Sequence, residues 1–98
     1  DEDWILAQPP DHYTIQVIGL REREKLLQLI EGHDELAPMA IYVVQKTSNP
    51  IYVLVQGSYP TVEAARAARD AFPRAINPPN QVWIRQFAKV QEIIEAER

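Results

Sequence analysis

The sequence predicts an α+β domain with the element order β-α-β-β-α-β, followed by a short C-terminal helix. The segment HYTIQVI at 12–18 alternates between two sets of side chains with the period of a strand. Two β-branched and aromatic runs flank TSNP at 47–50, which is a hairpin signal. Segments with helical spacing lie on either side of this hairpin. Two βαβ-like halves joined in this way predict a four-stranded antiparallel sheet with both main helices on one face.

The chain opens with an acidic and then apolar segment that ends in two prolines. We expect residues 1–11 to lead into the domain, with Trp4 and Leu6 packing on its edge, and residues 12–98 to form the domain itself. The first strand is expected to end before Gly19, because glycine allows a tight exit from a strand.

The first helix is predicted over 21–31, because leucines and an isoleucine recur there at helical spacing beside a charged face. Gly32 is placed to act as its C-cap. The two strands of the hairpin are predicted at 40–46 and 51–56, and Gly57 is expected to end the second of them.

The second helix is predicted to begin after Thr61, a residue type that caps helix N-termini, and to stop at Pro73. A proline-rich loop separates it from a last strand at 81–87. A tail helix closes the chain, and its apolar side is expected to carry Val90, Ile93 and Ile94.

Composition is typical of one soluble globular domain, with 46% hydrophobic and 24% charged residues. The net charge of −4 and the scattered Lys and Arg argue against a nucleic-acid partner. The absence of cysteine excludes disulfides and thiolate metal sites but leaves the compartment open. No apolar run approaches the ~20 residues that span a bilayer. Because the chain begins at Asp1 without Met, we expect it to be a fragment of a longer protein.

The period of two assigns the strand side chains to two faces of the sheet. The more aliphatic set of each strand is expected to face the helices: Tyr13, Ile15, Val17, Tyr52, Leu54, Val82 and Ile84. The other set is expected on an open face: Thr14, Gln16, Ile18, Ile51, Val53, Val55, Trp83 and Arg85.

An apolar strip with an indole and an amide suits a sugar ligand. The C–H face of a sugar ring packs on indole, and its hydroxyl or acetamido groups hydrogen-bond to amides. Clustered apolar residues on a solvated face indicate a binding site. The alternative is structural: Trp83 belongs to the core, and the tail helix or residues 1–8 cover Ile51, Val53 and Val55. Patterning leaves both interpretations open.

Several segments taken together resemble the SPOR domain, the sporulation-related repeat of bacterial proteins. They are HYTIQVIG at 12–19, IYVLVQGSY at 51–59 and PTVEAARAA at 60–68. WIRQFAKVQ at 83–91 is similar to the end of SPOR domains in DamX-type cell-division proteins, and WILAQ at 4–8 resembles the lead-in to those domains.

The resemblance implies a non-catalytic module without a cofactor that binds glycan strands of peptidoglycan on its sheet. It implies a preference for denuded glycan, from which amidases have removed the stem peptides, and which is enriched at the division septum. The domain would then be the periplasmic part of an inner-membrane protein, targeted to the division site and attached to the membrane only through a region outside this chain. Other division proteins are further candidate partners.

The resemblance also suggests binding residues. Gln16 matches the first-strand glutamine implicated in binding, and Trp83 matches the tryptophan near the end of DamX-type domains. Ile51 occupies a position where those domains can carry a tryptophan, so one aromatic ring is missing here. Gly19 occupies a position where some carry a serine, so one hydroxyl is missing as well. The candidate glycan-binding residues are Gln16, Gly19, Ile51, Val53, Trp83 and Arg85.

Three other functions compete with this interpretation. RNA-binding RRM domains share this RNP-like or ferredoxin-like element order, but the third strand here reads YVLVQG and lacks their base-stacking aromatic motif. An enzyme needs a nucleophile–base pair or a metal cluster, and His12 and His33 are typical of ordinary surface groups. A protein–protein adaptor of the division machinery, using the same open face or an edge strand, needs no special residues and stays open.

Overall fold

A computed structural model, which describes residues 1–45, 47–76 and 82–98, has the predicted α+β fold. Its elements are α1 (Glu2–Leu6), β1 (Tyr13–Leu20), α2 (Arg23–Gly32), a 3-10 turn (Asp34–Leu36), β2 (Met39–Val44), β3 (Ile51–Tyr59), α3 (Val62–Asp70), β4 (Trp83–Gln86) and α4 (Phe87–Ala96). The four strands form one antiparallel sheet in the order β2-β3-β1-β4. This is the order that two interlocked βαβ halves produce.

The predicted elements are present, but several ends differ. β1 continues through Gly19 and β3 continues through Gly57, so neither glycine ends its strand as expected. Thr61 caps α3 as predicted, and its hydroxyl accepts a hydrogen bond of 3.1 Å from the amide of Ala64. The predicted strand ends at residues 46 and 81 lie outside the described residues.

The pairing of β1 with β3 is interrupted twice by a β-bulge, in which one strand has an extra residue. Between Tyr13 and Ile15 the extra residue belongs to β3, and it lies at Gly57 or beside it, where φ is 76°. Between Gln16 and Ile18 the extra residue belongs to β1. A bulge shifts the alternation of side chains, so a simple period of two fails beyond it.

Helices α2 and α3 cover one face of the sheet. The predicted inward residues Ile15, Val17, Leu54 and Val82 lie in the core on this face, and Tyr52 and Ile84 pack against it half-buried. Ile18, expected on the other face, also packs here, because the bulge after Gln16 reverses the alternation.

The opposite face is not open along its whole width. Val53 and Val55 on β3 are 6% and 0% exposed and lie under α1 and α4. The prediction of an open face is therefore wrong at these two valines, and the alternative of a cover from the terminal segments is confirmed for them. This second core consists of Ile5, Ala40, Tyr42, Val53, Val55, Phe87, Val90 and Ile94.

Helix α4 begins at the end of β4 and also contacts α1 and β2, so it crosses the sheet from one edge strand to the other. At its start, the amide of Phe87 donates to the His12 carbonyl and that of Ala88 to the Pro10 carbonyl, both at 2.9 Å. The ring of Phe87 meets Trp4 edge to face, with centroids 5.9 Å apart. Trp4 and Leu6 pack against the core on this face of the sheet. The expectation that they pack at the edge of the domain is therefore wrong.

The edge strand β2 is shielded by carboxylates from both ends of the chain. The amide of Val43 donates to Glu2 Oε2 at 3.1 Å, and the amide of Gln45 donates to Glu97 Oε1. Arg98 lies 3.5 Å from the Glu2 carboxylate and 3.7 Å from that of Asp3. Charged groups on an edge strand oppose pairing with a foreign strand.

The burial of Tyr42 has a consequence at alkaline pH. Tyr42 is 1% exposed, and burial raises the pKa of its hydroxyl, while the positive charge of Arg85 opposes that rise. Because the folded-state pKa is above the unfolded value of about 10, the unfolded state loses its proton first and stability is lost as pH rises past about 10. Urea denaturation measures the difference in the free energy of unfolding between wild type and Tyr42→Phe. This difference should be constant below about pH 10, and above it wild type should lose stability relative to the variant. An unchanged difference across that range would contradict the shift.

Candidate functional site

The part of the face that α1 and α4 leave uncovered lies over β1 and β4. Trp83 on β4 is 56% exposed. Such exposure is uncommon for an indole, which is usually largely buried. The alternative that Trp83 belongs to the core is therefore wrong, and the prediction that it points outward is confirmed.

Gln16 and Trp83 are direct partners across the β1–β4 ladder, and Thr14 and Arg85 are the next pair on the same face. Cross-strand partners hold their Cβ atoms about 4.5–5.5 Å apart. Successive pairs on one face are two residues, or about 6.8 Å, apart along the strand. The amide, the indole and the guanidinium thus belong to one compact block of side chains, which we call the β1–β4 patch: Gln16, Trp83 and Arg85.

Gln16 of the patch and the neighbouring Thr14 differ in whether their polar groups are free to bind a ligand. Thr14 is 0% exposed, and its hydroxyl donates to the Gln56 carbonyl at 3.1 Å, so the protein itself uses it. Gln16 is half-buried, and its side chain has no hydrogen-bond partner within the part of the chain that the structure describes. Its amide retains both donor and acceptor capacity for a ligand.

The other two accessible candidates lie further along the same face. Gly19 is exposed, and a Cβ atom at this position would lie 3.5 Å from Ile51 Cγ2 and 3.7 Å from Val53 Cγ2, both ordinary contact distances. Ile51 is half-buried at the margin of the second core. A serine at residue 19 would therefore fit without displacing its neighbours. Val53, at 6% exposure beneath the terminal helices, is not accessible to a ligand in this structure.

Arg85 lies where the patch meets α4. Together with Lys89 and Ile93 of α4 it lines an open cavity of about 380 Å³. The apolar side predicted for the tail helix is confirmed, since Val90 and Ile94 are buried and Ile93 packs half-buried beside them. That α4 walls one side of the patch was not predicted, because its helical periodicity gives the buried side of the helix but not its path across the sheet.

A four-stranded sheet of this order, with an exposed indole beside a glutamine amide on a partly uncovered face, is an arrangement suited to ligand binding. The family model of the SPOR domain matches residues 9–83. The match covers more than half of the chain, and the chain belongs to the SPOR domain family. Helices α1 and α4, which cover part of the sheet face, lie outside the matched residues.

The chain is also similar to a curated protein, the cell division protein DamX of Serratia marcescens. The two are 26% identical over 88 residues, which cover 90% of this chain and 40% of DamX. The chain thus spans about 40% of the length of that relative. Among the residues that the structure describes, none of the helices has the length and apolarity needed to cross a membrane.

Proposed function

We propose that this domain binds glycan strands of peptidoglycan, without catalysing their cleavage, through the uncovered part of its sheet. The proposal includes a preference for denuded glycan, and with it the recruitment of the host protein to the division septum from the periplasmic side of the inner membrane. Membership of the SPOR family and the similarity to a cell division protein support this reading.

The observation that carries the proposal is the pair formed by Trp83 and Gln16. An indole that is 56% exposed offers an apolar plane for the C–H face of a sugar ring. The amide of its cross-strand partner is positioned to hydrogen-bond acetamido or hydroxyl groups of the same ligand. Neither side chain belongs to a core, which supports a role for both in ligand binding.

Gly19 and Ile51 extend the proposed surface along β1. They lie side by side beyond the bulge of β1, on the same face as Gln16. A glycan strand that contacts Trp83 and continues along β1 would pass over them. Val53, one of the six expected contacts, is left out of the proposed surface because it is buried.

The test is co-sedimentation with purified sacculi, comparing intact with amidase-treated material. Wild type should bind the treated sacculi more tightly. Trp83→Ala and Gln16→Ala should each weaken this binding, the former by at least about tenfold, or about 1.4 kcal/mol. Both variants should keep the free energy of unfolding within about 1 kcal/mol of wild type, because neither side chain belongs to a core.

The matched control is Gln28→Ala, which removes an exposed amide from α2 on the opposite side of the sheet and should leave binding unchanged. Failure of wild type to bind either kind of sacculus would sink the glycan proposal and leave a protein partner at the septum as the ligand of this face. Equal binding to both kinds would remove the preference for denuded glycan alone.

A further inference from the structure

Arg85 is half-buried, and its guanidinium has no ion-pair or hydrogen-bond partner among the residues that the structure describes. Among the residues that the structure describes, no carboxylate lies within ion-pair distance of it and no acceptor receives its protons. Its five N–H donors are therefore available to an anionic ligand that enters the cavity beside α4. An arrangement of this kind is expected where a ligand supplies the anion.

The position of Arg85 relative to the patch limits what that anion belongs to. Arg85 lies two residues from Trp83 on the same face of β4, and Thr14, its partner on β1, has no free hydroxyl to offer. A ligand stacked on the indole would therefore present its next substituent to the guanidinium. An anion bound by Arg85 would then belong to the same molecule that contacts Trp83.

The charged groups around Arg85 leave its positive charge available. Lys89 and Glu92 of α4 line the same cavity, but their opposite charges lie 4.0 Å apart and both side chains are largely exposed, so solvent screens their effect on Arg85. Among the described residues, the charge of Arg85 also acts on the hydroxyl of Tyr42, whose pKa it lowers against the effect of burial. A neutral phenol does not compensate the guanidinium.

The proposed ligand carries one suitable anion on each repeat. An amidase hydrolyses the amide bond between the lactyl group of N-acetylmuramic acid and the stem peptide, and the lactyl group is left with a free carboxylate. In intact glycan that carbonyl is part of a neutral amide. A guanidinium binds a carboxylate through two parallel hydrogen bonds and has no equivalent interaction with an amide.

We infer that Arg85 binds the lactyl carboxylate exposed when the stem peptide is removed, and that this contact gives the domain its preference for denuded glycan. The inference rests on the proposed function and adds to it the chemical group that is recognised. The preference for denuded glycan would then depend on the positive charge of Arg85. The net charge of the domain, −4, would by itself disfavour an anionic polymer.

Soluble fragments of amidase-treated glycan test the inference, half of them with the lactyl carboxylates converted to neutral methylamides by carbodiimide coupling. Wild type should bind the carboxylate form about tenfold more tightly than the amide form at low salt, and the difference should shrink as salt is added. Arg85→Gln should lose this discrimination and bind both forms as weakly as wild type binds the amide form. Arg66→Gln, which removes an exposed guanidinium from α3, is the matched control and should behave as wild type.

The outcomes separate the two proposals. Wild type that binds both forms equally, or an Arg85→Gln variant that still discriminates, would overturn the role of Arg85 while the glycan-binding face stands. Binding of neither form by wild type would instead overturn the proposed function. Trp83→Ala should weaken binding to both forms alike, since the sugar ring is common to them.

Discussion

Replacing Phe87 with alanine should lower the free energy of unfolding by about 3–5 kcal/mol, the range for a fully buried aromatic residue. Phe87 is 0% exposed and belongs to the core beneath the terminal helices. Its ring contacts Trp4, and its backbone amide, at the first residue of α4, donates a hydrogen bond to the His12 carbonyl. Alanine would leave a cavity at the point where α1, α4 and the sheet meet, and packed surroundings only partly close such a cavity.

Urea denaturation measures this loss, and the fluorescence of Trp4 should shift to the red as its ring gains water. Ile93→Ala on the same helix is the control and should cost clearly less, because Ile93 is only half-buried. A loss below about 1 kcal/mol for Phe87→Ala would mean that α4 does not hold the sheet face closed. The burial of Val53 and Val55 would then need another explanation.

Gly57→Ala should lower the free energy of unfolding by about 2–4 kcal/mol, through two effects that add. Gly57 has φ of 76°, a left-handed conformation that costs other residues about 1–2 kcal/mol. A Cβ atom would also lie 2.5 Å from Cε2 of Tyr59, so the ring must move. That movement would break the 2.7 Å hydrogen bond that the Tyr59 hydroxyl donates to Oε1 of Gln56. The Nε2 group of the same glutamine donates to the Leu36 carbonyl at 2.9 Å.

Gly32→Ala is the matched control, since a Cβ atom there meets nothing within 4 Å and the residue lies in α2. It should raise stability by about 0.5–1 kcal/mol. In a Tyr59→Phe background the hydrogen bond is already absent, so Gly57→Ala should cost less than in wild type. A cost equal in both backgrounds would show that the Tyr59 hydrogen bond contributes nothing and that backbone strain and displacement of the ring account for the whole effect.

The bulges explain most of what sequence periodicity missed in the sheet. Strands β1 and β4 pair without interruption from Tyr13 to Gln16, and there the period of two placed Gln16, Trp83 and Arg85 correctly. Ile18 lies beyond a bulge and was assigned to the wrong face. Gly57 was predicted to end β3, because a glycine in a bulge and a glycine at a strand end look the same in a sequence.

The cover over Val53 and Val55 could be predicted only in part. Their apolar character on a supposedly open face was the correct signal, and a cover from the chain ends was one of two interpretations. Helix α1 has only five residues, too few for helical periodicity to appear, so Ile5 could not be recognised as core. Which half of the face is covered depends on the path of α4, and that is set by tertiary contacts.

The carboxylates of Glu2 and Glu97 along β2 affect how copies of the domain behave when crowded. A polymer with many repeats gathers bound molecules at high local concentration, a condition that promotes fibril-like joining of sheets through exposed backbone amides. Here the amides of Val43 and Gln45 are already occupied by those side chains. Copies that coat a surface densely can therefore remain separate molecules, because this edge does not pair with a neighbouring sheet.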